Sequence, residues 1–563
     1  MFGFKGSSVR LFVFLTWGLQ DWTFENEFLW YIFLCGVCLS GVLCVLTYDH
    51  DYWLDRGVFS PPAWPLVGHI LSVVLFREQG GMCFLKIYNK YRHLRFLGAH
   101  QFFQRTLVIR DPALIKRICV PDFAHFVDRG FFFNEEVDPL AGSVLFLRGQ
   151  EWRRLRAKIS PIFSPNKLKG MFPIIENTAQ GFVERVSALP TKSNSSEVVV
   201  DSERLVGGYT ADAIVPCAFG VKSHVMDNEK DPFAVALHAF YEMSPFNLFE
   251  KTMRQFWPAF SMFFRMKIIP QKTHDFFYNI VTSVLRDREG GDVHKRGDFI
   301  DMMMALRNDD RNNNMAEKGE DDVEITDMVI SANAFIIFLG GFETTSSTLA
   351  FLLLELAAHP EVQEKLRREI QDVAGASEMT YETLQRLEYM EMVIQETLRL
   401  YPPFPSIQRM CTRDYVIPGT RHVVEKGTVV LFPTLAIQRD EQYFSNAGAF
   451  VPERWSRAAV PPAPPAAPAS PAAPASPAPP APPAPPVPPA PGVYLPFGDG
   501  PRYCIGKRFA MIQMKCCLAQ LLRRVRVSPA PRAPPRTSPF EPDPRSPLTL
   551  HPRDSTVTLS LIR

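Results

Sequence analysis

The sequence has almost no net charge. Its 61 lysine and arginine residues are matched by 59 aspartate and glutamate residues, which leaves a formal charge of +2 at pH 7. Proteins that bind nucleic acid through their charge have a strongly basic balance. We therefore expect no nucleic-acid partner.

Paired cysteines and nucleotide-binding loops are also missing. The ten cysteines are scattered, and the one CxxC spacing, Cys35 and Cys38, lies inside an apolar run. Such usage is typical of reduced thiols in a cytosolic compartment. The sequence has no Walker loop, and no GxGxxG follows a strand, which excludes a domain for a tightly bound nucleotide. A redox reaction would need electrons from another protein.

One long uncharged run divides the N-terminal region. We predict a leader over residues 1–27, a membrane anchor over 28–48, a proline-rich hinge over 49–65 and a single large catalytic domain over 66–563. Residues 28–48 are long enough for a helix that crosses a ~30 Å hydrocarbon layer. Lysine and arginine occur on both sides of this run, so charge alone does not give its orientation.

A proline- and alanine-rich tract, residues 461–491, interrupts the predicted catalytic domain. Its composition is incompatible with helix or sheet and predicts an extended, solvated excursion. It is either a genuine surface insertion or an error in the derived sequence.

Elsewhere the pattern predicts a mainly helical body with a short strand near Leu107 to Arg110. We expect a surface loop over residues 308–322. A long apolar helix should follow from Val323 to about Ala358, and His359 and Pro360 should end it and start another helix.

The segment from Phe497 to Gly506 carries the strongest chemical pattern, and a helical pattern follows it from Lys507 to Arg524. Cys504 thus lies at a helix start, where backbone N–H groups and the helix dipole should lower the pKa of its thiol. Gly498 allows a tight turn, and Arg502 offers a fork of donors to a carboxylate. A structural loop with a buried cysteine is the alternative.

The order of Phe497, Gly498, Arg502, Cys504 and Gly506 resembles the haem-binding loop of the cytochrome P450 family. The resemblance implies haem b, with these residues binding the cofactor and Cys504 as the axial thiolate ligand of the iron.

Two further segments support this resemblance. Glu396 and Arg399 are three residues apart in a helix predicted over Tyr381 to Leu400. Alone they could be a surface ion pair worth ~0–1 kcal/mol. With Arg454 in the sequence Val-Pro-Glu-Arg-Trp, they resemble the family's buried Glu-Arg-Arg structural triad.

The other segment is Gly340-Gly341-Phe342-Glu343-Thr344-Thr345, inside the long apolar helix. Two glycines inside a helix cost about 1 kcal/mol each relative to alanine, so they need a reason. We expect close approach of a ligand, with helix-on-helix packing as the alternative. The segment is similar to the family's oxygen-binding helix, which implies that Glu343 and Thr344 are catalytic and deliver protons to bound dioxygen.

Haem carries two propionates, and cationic partners for them can be sought. Trp152 and Arg156 resemble the family's Trp-x-x-x-Arg propionate contact, and Arg409 and Arg129 resemble further contacts. For each arginine the alternative is a solvated surface charge.

The resemblance implies a mainly α fold with a small β region and a monooxygenase that oxidises lipophilic molecules such as xenobiotics, steroids or fatty acids. It is strongest toward animal microsomal members. It also implies molecular oxygen as co-substrate, NADPH-cytochrome P450 reductase as electron donor, cytochrome b5 as a second candidate partner, and contact with membrane lipid. The expected location is the endoplasmic reticulum membrane with the catalytic domain on the cytosolic side; a mitochondrial membrane is less favoured.

Two surface features fit this picture. Residues 246–269 resemble the family's mobile roof over the substrate pocket, although such an aromatic stretch is equally typical of a core. Basic residues flank the haem-ligand segments, and the resemblance implies that they form a reductase-binding face, with plain solvation as the alternative for each single residue. They are Arg153, Arg154, Lys158, Lys507, Arg508 and Lys515.

Two other functions stay open at this point. A haem-thiolate isomerase or dehydratase would rearrange lipid peroxides without a reductase. A non-catalytic haem-thiolate protein would carry a ligand or sense a gas. The acid and hydroxyl at Glu343 and Thr344 count against both.

Overall fold

The computed structural model describes residues 27–192, 196–241, 263–267, 269–290, 297–313, 323–375, 377–456, 490–531, 539–546 and 548–562. The predicted leader, except its last residue, most of the aromatic roof segment, and residues 457–489, which include residues 461–489 of the proline tract, lie outside these ranges.

Helices account for most of this structure, as predicted. They are α1 (Glu27–Leu46), α2 (Tyr52–Asp55), α3 (Leu71–Val74), α4 (Gly80–Lys90), α5 (Pro112–Cys119), α6 (Gly149–Ile159), α7 (Pro165–Lys192), α8 (Ser202–Phe219), α9 (Pro232–Tyr241), α10 (Gln271–Glu289), α11 (Phe299–Asn313), α12 (Asp327–Ala358), α13 (Pro360–Ala374), α14 (Tyr381–Gln385), α15 (Glu388–Leu400), α16 (Thr434–Gln438) and α17 (Lys507–Arg524).

The strands form three small sheets. They are β1 (Phe96–Gln101), β2 (Gln104–Ile109), β3 (Glu197–Asp201), β4 (Ile407–Met410), β5 (Tyr415–Val416), β6 (Val423–Val424), β7 (Val429–Phe432), β8 (Val525–Pro529) and β9 (Thr556–Leu561). One sheet has the order β1-β2-β7-β4, in which β2 and β7 are parallel. A second, β3-β9-β8, joins the C-terminal strand to the segments before α8 and after α17.

Helix α12 is the centre of the largest hydrophobic core. Its side chains from Leu349 to Leu354 are almost completely buried. Thr326 caps its first turn, because the threonine hydroxyl accepts a hydrogen bond from the Val329 amide at 3.2 Å. Pro360 starts the next helix, as predicted, because proline fits a first helical turn.

Three predicted boundaries were wrong. The predicted helix start at Val323 is too early, because α12 begins at Asp327 after the Thr326 cap. Residues 308–313, predicted as loop, belong to α11. The single helix predicted from Tyr381 to Leu400 is two helices, α14 and α15, separated by two residues.

Helix α1 occupies most of the predicted anchor. By sequence, residues 28–46 of this helix carry no charged side chain, and among its described side chains Tyr31 and Leu39 are largely exposed. Among the described residues, α12 is the one helix that is long and apolar enough to span a membrane, but more than half of its apolar window is buried in the protein. Length and composition alone therefore do not identify a membrane span here.

Candidate active site

The loop that carries Cys504 is built on two glycines with left-handed backbone. Gly498 has a φ of 71° and Gly500 a φ of 69°. A Cβ atom at Gly500 would lie 1.8 Å from the carbonyl oxygen of Cys119, so no other residue fits that position. The Cys504 amide then closes the loop by donating to the Phe497 carbonyl at 2.8 Å. The cysteine is thus held just before the start of α17.

The thiol of Cys504 is less acidic than its place at a helix start predicts. Desolvation raises its pKa, and this effect outweighs the backbone amides of Gly506 and Lys507 and the nearby Arg129 and Arg156, which lower it. The helix start acts in the predicted direction, but the prediction of a lowered pKa was wrong. Gly506 leaves room beside the sulfur, since a Cβ atom there would come no closer than 4.0 Å to Sγ.

Three arginines gather around this loop, and Arg502 belongs to it. Arg129 donates from Nη2 to the Arg502 carbonyl at 2.9 Å, and Arg156 donates from Nη2 to the Tyr503 carbonyl at 3.0 Å. Arg409 is buried on β4. The Nε atoms of Arg129 and Arg409 are buried and have no hydrogen-bond partner in the structure.

This arginine cluster is electrostatically strained. Burial, together with the neighbouring Arg409 and Arg156, lowers the pKa of Arg129 to about 9. Burial, together with Arg129 and Arg409, lowers the pKa of Arg502 to about 8. Buried cations with unused donors need an anionic partner. The two propionates of a haem beside Cys504 would meet that need, so the residues present fit the cofactor.

Arg502 itself uses its donors on the protein. Its Nε donates to the Val127 carbonyl at 2.9 Å and its Nη2 to the Leu147 carbonyl at 2.8 Å. The guanidinium lies 3.8 Å from the centre of the Trp152 ring, and the carboxylate of Asp128 is 3.8 Å away. These contacts leave N–H donors of the guanidinium over, and the expectation that its fork meets a carboxylate stays a prediction. Arg502 joins the cysteine loop to the segment before α6.

The structure brings Glu396, Arg399 and Arg454 together in the core. Arg399 pairs with Glu396 through two hydrogen bonds of 2.9 and 2.8 Å, and Arg454 donates to the same carboxylate at 2.9 Å. Trp455 also donates to it, at 3.0 Å. Glu396 and Arg399 are fully buried, so the alternative of a surface ion pair is wrong. The cluster ties α15 to the segment that precedes the proline tract.

The two glycines of α12 have different surroundings. A Cβ atom at Gly341 would lie 2.9 Å from two side-chain atoms of Ile214 on α8, whereas one at Gly340 would meet nothing within 4 Å. Ligand approach was predicted for both. Gly340 leaves space for a ligand, whereas Gly341 is explained by helix-on-helix packing.

Glu343 and Thr344 follow on the next turn of α12. The Thr344 hydroxyl donates to the Gly340 carbonyl at 2.7 Å, which leaves its oxygen able to accept. The Glu343 carboxylate accepts from the Thr549 hydroxyl at 2.6 Å and lies 3.4 Å from Nε2 of His551.

His551, Thr549 and Glu203 were not predicted as site residues. Nδ1 of His551 pairs with the carboxylate of Glu203 on α8, and its Nε2 faces Glu343. A lone histidine in a C-terminal segment gives no sequence signal, because its partners lie about two hundred or more residues away in the chain.

The predicted basic face is only partly present. Arg153, Lys507 and Arg508 are exposed. Lys515 is buried and bonds to the Leu387 carbonyl and to Glu391, because it lies on the inner face of α17. Its assignment to the face was wrong. Lys158 donates to the Val323 carbonyl at 3.0 Å.

Comparison with known proteins agrees with this geometry. The family model described as "Cytochrome P450" matches residues 59–557. Cytochrome P450 6a2 of Drosophila melanogaster is 34% identical over 507 residues, which cover 87% of this chain and 92% of that protein. Cytochrome P450 6B2 of Helicoverpa armigera is 31% identical over 507 residues, covering 89% and 93%. Both relatives are animal proteins.

The family implies haem with a cysteine thiolate ligand, a lipophilic substrate, oxygen and a redox partner. From its sequence, fold and relatives together, the chain belongs to the cytochrome P450 family and is a haem-thiolate monooxygenase.

Proposed function

We propose that this protein oxidises lipophilic small molecules, with Cys504 as the axial ligand of its haem and Glu343 and Thr344 as its catalytic residues. The observation that supports the assignment most is the cluster of Arg129, Arg156 and Arg409 around the cysteine loop, with buried donors that lack a partner. An anion with two carboxylates satisfies such a cluster.

Each group then has a definite task. Arg129, Arg156 and Arg409 would hold the propionates, and Arg502 and Trp152 keep the cysteine loop in place. When bound, the haem supplies the reductive activation of dioxygen and the insertion of oxygen into substrate. Glu343 holds a proton for this reaction, and the Thr344 hydroxyl orients the oxygen that receives it.

Electrons come from NADPH through a separate reductase. Arg153, Lys507 and Arg508 are exposed cations near the cysteine loop, and they would attract an acidic flavoprotein surface, with cytochrome b5 as a second partner. The apolar helix α1 supports a membrane anchor and a lipid contact. The proposed location, on the cytosolic side of the endoplasmic reticulum, follows from the family resemblance, because the charges beside α1 do not give an orientation. Xenobiotics, steroids and fatty acids are the substrate classes that suit such a location.

The ligand assignment is tested by the spectrum of the reduced protein under carbon monoxide. We expect the wild type to show the red-shifted Soret band of a thiolate-ligated haem and Cys504→Ser to lose it. Cys411→Ser is a matched control, since Cys411 is buried and its thiol donates to the Arg413 carbonyl, as a serine can. A red-shifted band that survives in Cys504→Ser would rule out the assignment.

A further inference from the structure

A chain of ionisable and hydroxyl side chains runs from the protein surface to Glu343. Glu203 lies in the first turn of α8, and 31% of its side chain is exposed, against 16% for Glu343. His551 lies between the two carboxylates, with Nδ1 toward Glu203 and Nε2 toward Glu343. Thr549 completes the inner link, because its hydroxyl is 3.1 Å from His551 Nε2 and 2.6 Å from the Glu343 carboxylate.

The backbone around His551 holds it in this position. The Leu550 amide donates to the Pro403 carbonyl at 2.9 Å, and the Ser347 hydroxyl donates to the Leu550 carbonyl. On the outer side, Ser555 accepts from the Ser202 amide at 2.9 Å and donates to Asp201 at 2.6 Å. The C-terminal segment is thus fixed to α12 and to the start of α8. These hydrogen bonds, and not an exposed loop, hold the row of side chains from Glu203 to Glu343 in position.

We propose that Glu203, His551 and Thr549 form the proton input that recharges Glu343 from solvent. This inference rests on the proposed function, in which Glu343 gives a proton to the reaction. His551 and Glu203 contact neither substrate nor cofactor in this scheme, so they act as positioning and proton-supplying residues.

The transfer balances one proton at each end. Glu343, after giving up its proton, takes the hydroxyl proton of Thr549, and Thr549 takes the Nε2 proton of His551. This leaves a neutral ring that still holds its Nδ1 proton, so the ring reorients before its vacated nitrogen takes the proton that Glu203 has collected from water. One proton leaves solvent and one arrives at Glu343, and no electrons move.

The electrostatics of the site support this arrangement. Burial by itself would lower the pKa of His551, but its hydrogen bonds to Glu203 and Glu343 raise the pKa to about 10. At neutral pH the ring therefore carries protons on both nitrogens, which is the form that donates on both sides. Glu203 on α8 and Glu343 on α12 are the charged groups that face the ring from the helices packed against it.

The test uses the full-length holoprotein with three variants. Glu203→Gln and His551→Gln remove the two titratable members, and Glu541→Gln removes a carboxylate on the same C-terminal segment that pairs with Arg553 instead. The probe is 7-ethoxycoumarin, dealkylated either with NADPH, reductase and oxygen or with cumene hydroperoxide. The hydroperoxide brings oxygen that is already reduced, so it bypasses most of the need for protons.

We expect Glu203→Gln and His551→Gln to keep the red-shifted carbon monoxide band and the hydroperoxide-supported rate. Their NADPH-supported rate should fall severalfold, with more hydrogen peroxide released, while Glu541→Gln behaves as wild type. An unchanged ratio of the two rates in Glu203→Gln would overturn the proposal, and this variant decides if His551→Gln fails to fold. Loss of the carbon monoxide band in the wild type would instead contradict the proposed function.

A second readout does not depend on turnover. The folded-state pKa of His551 lies above its unfolded value near 6.5, so the stability that it contributes is complete below pH 6.5 and is lost as the pH rises toward about 10. The wild-type unfolding midpoint should therefore fall over this range, and that of His551→Gln should fall less. Equal slopes would show that the imidazolium is not held between the two carboxylates, and the proposal would fail.

Discussion

At the scale of single residues, His100 is the ionisable group whose burial has the clearest consequence. Its side chain on β1 is fully buried, and neither ring nitrogen has a hydrogen-bond partner in the structure. Its ring lies 5.4 Å from that of His50 and 6.2 Å from that of His69. Burial, and to a smaller extent the two neighbouring imidazoles, lower the pKa of His100 to about 3.

We expect this residue to make the fold sensitive to acid. The folded-state pKa is below the unfolded value near 6.5, so stability is complete above pH 6.5 and is lost as the pH falls toward 3. At pH 5 the loss from His100 should be at most about 2 kcal/mol. Urea unfolding at pH 7.5 and pH 5 measures it.

The matched variants are His100→Leu, which removes the buried imidazole, and His93→Gln, which changes an exposed one. His100→Leu should lose less stability between the two pH values than wild type, although His50 and His69 still contribute. His93→Gln should follow the wild type. If His100→Leu kept the full acid-dependent loss, the buried imidazole would not be its source.

Residue patterns predicted the chemistry better than they predicted contacts. The spacing of Phe497, Arg502 and Cys504 identified the loop, because its geometry depends on local backbone conformation. The partners of Arg502 are carbonyls from a segment more than 350 residues away, and its sequence environment does not indicate them. The pKa of Cys504 depends on burial by distant atoms in the same way, so a helix start alone gave the wrong direction.

At the scale of elements, the close approach of α12 and α8 determines what each glycine of α12 does. Gly341 faces Ile214, and Gly340 faces open space. A pattern of two adjacent small residues cannot distinguish these situations. Only the packed helices show that one glycine serves the core and the other leaves room beside the helix.

Alanine at each position should therefore have opposite effects on stability. Gly340→Ala should raise the free energy of unfolding by up to about 1 kcal/mol, because alanine is the better helix former. Gly341→Ala should lower it by about 1–3 kcal/mol, because its Cβ atom overlaps with Ile214. Chemical denaturation of the two single variants gives both values.

The two alanine variants also distinguish an effect on stability from an effect on ligand binding. If Gly340 leaves space for a ligand, Gly340→Ala should weaken the spin-state shift that lipophilic compounds cause in the Soret band, although the protein is more stable. Gly341→Ala with Ile214→Val should recover part of the lost stability. Equal effects of the two alanines would contradict the packing difference.

At the scale of the whole molecule, the sequence predicted the fold class because three separated motifs indicate one family. It could not predict helix ends that tertiary contacts determine, such as the break between α14 and α15. There Glu369 of α13 accepts from the amides of Tyr389 and Met390 and so starts α15. The proline tract interrupts the catalytic domain, yet the described residues on its two sides are in contact.

Contacts across the tract show that its flanks are neighbours. Trp455 lies before it and Tyr494 after it, and their ring centres are 4.5 Å apart. Trp455 is held by Glu396, and Val493 is fully buried. The fold therefore does not need a long chain to connect the two sides.

We expect that residues 457–489 can be replaced by a Gly/Ser linker of about eight residues without loss of the haem site. Shortening a flexible connection fourfold lowers its closure entropy by only ~1 kcal/mol, so the free energy of unfolding should rise by about that amount. A stiff polyproline tract would cost more to close, so the gain could be larger. The carbon monoxide spectrum and urea unfolding measure the two expectations.

A Gly/Ser linker that matches the tract in length separates the effect of composition from that of length. If it is as stable as the short-linker variant, the stiffness of the native tract, and not its length, lowers the free energy of unfolding. If both replacements lose the red-shifted band, the tract contributes to the haem site directly, and the view of it as a looped-out excursion is wrong. The contact between Trp455 and Tyr494 favours retention of the band in both, because it closes the connection at the protein surface independently of what lies between.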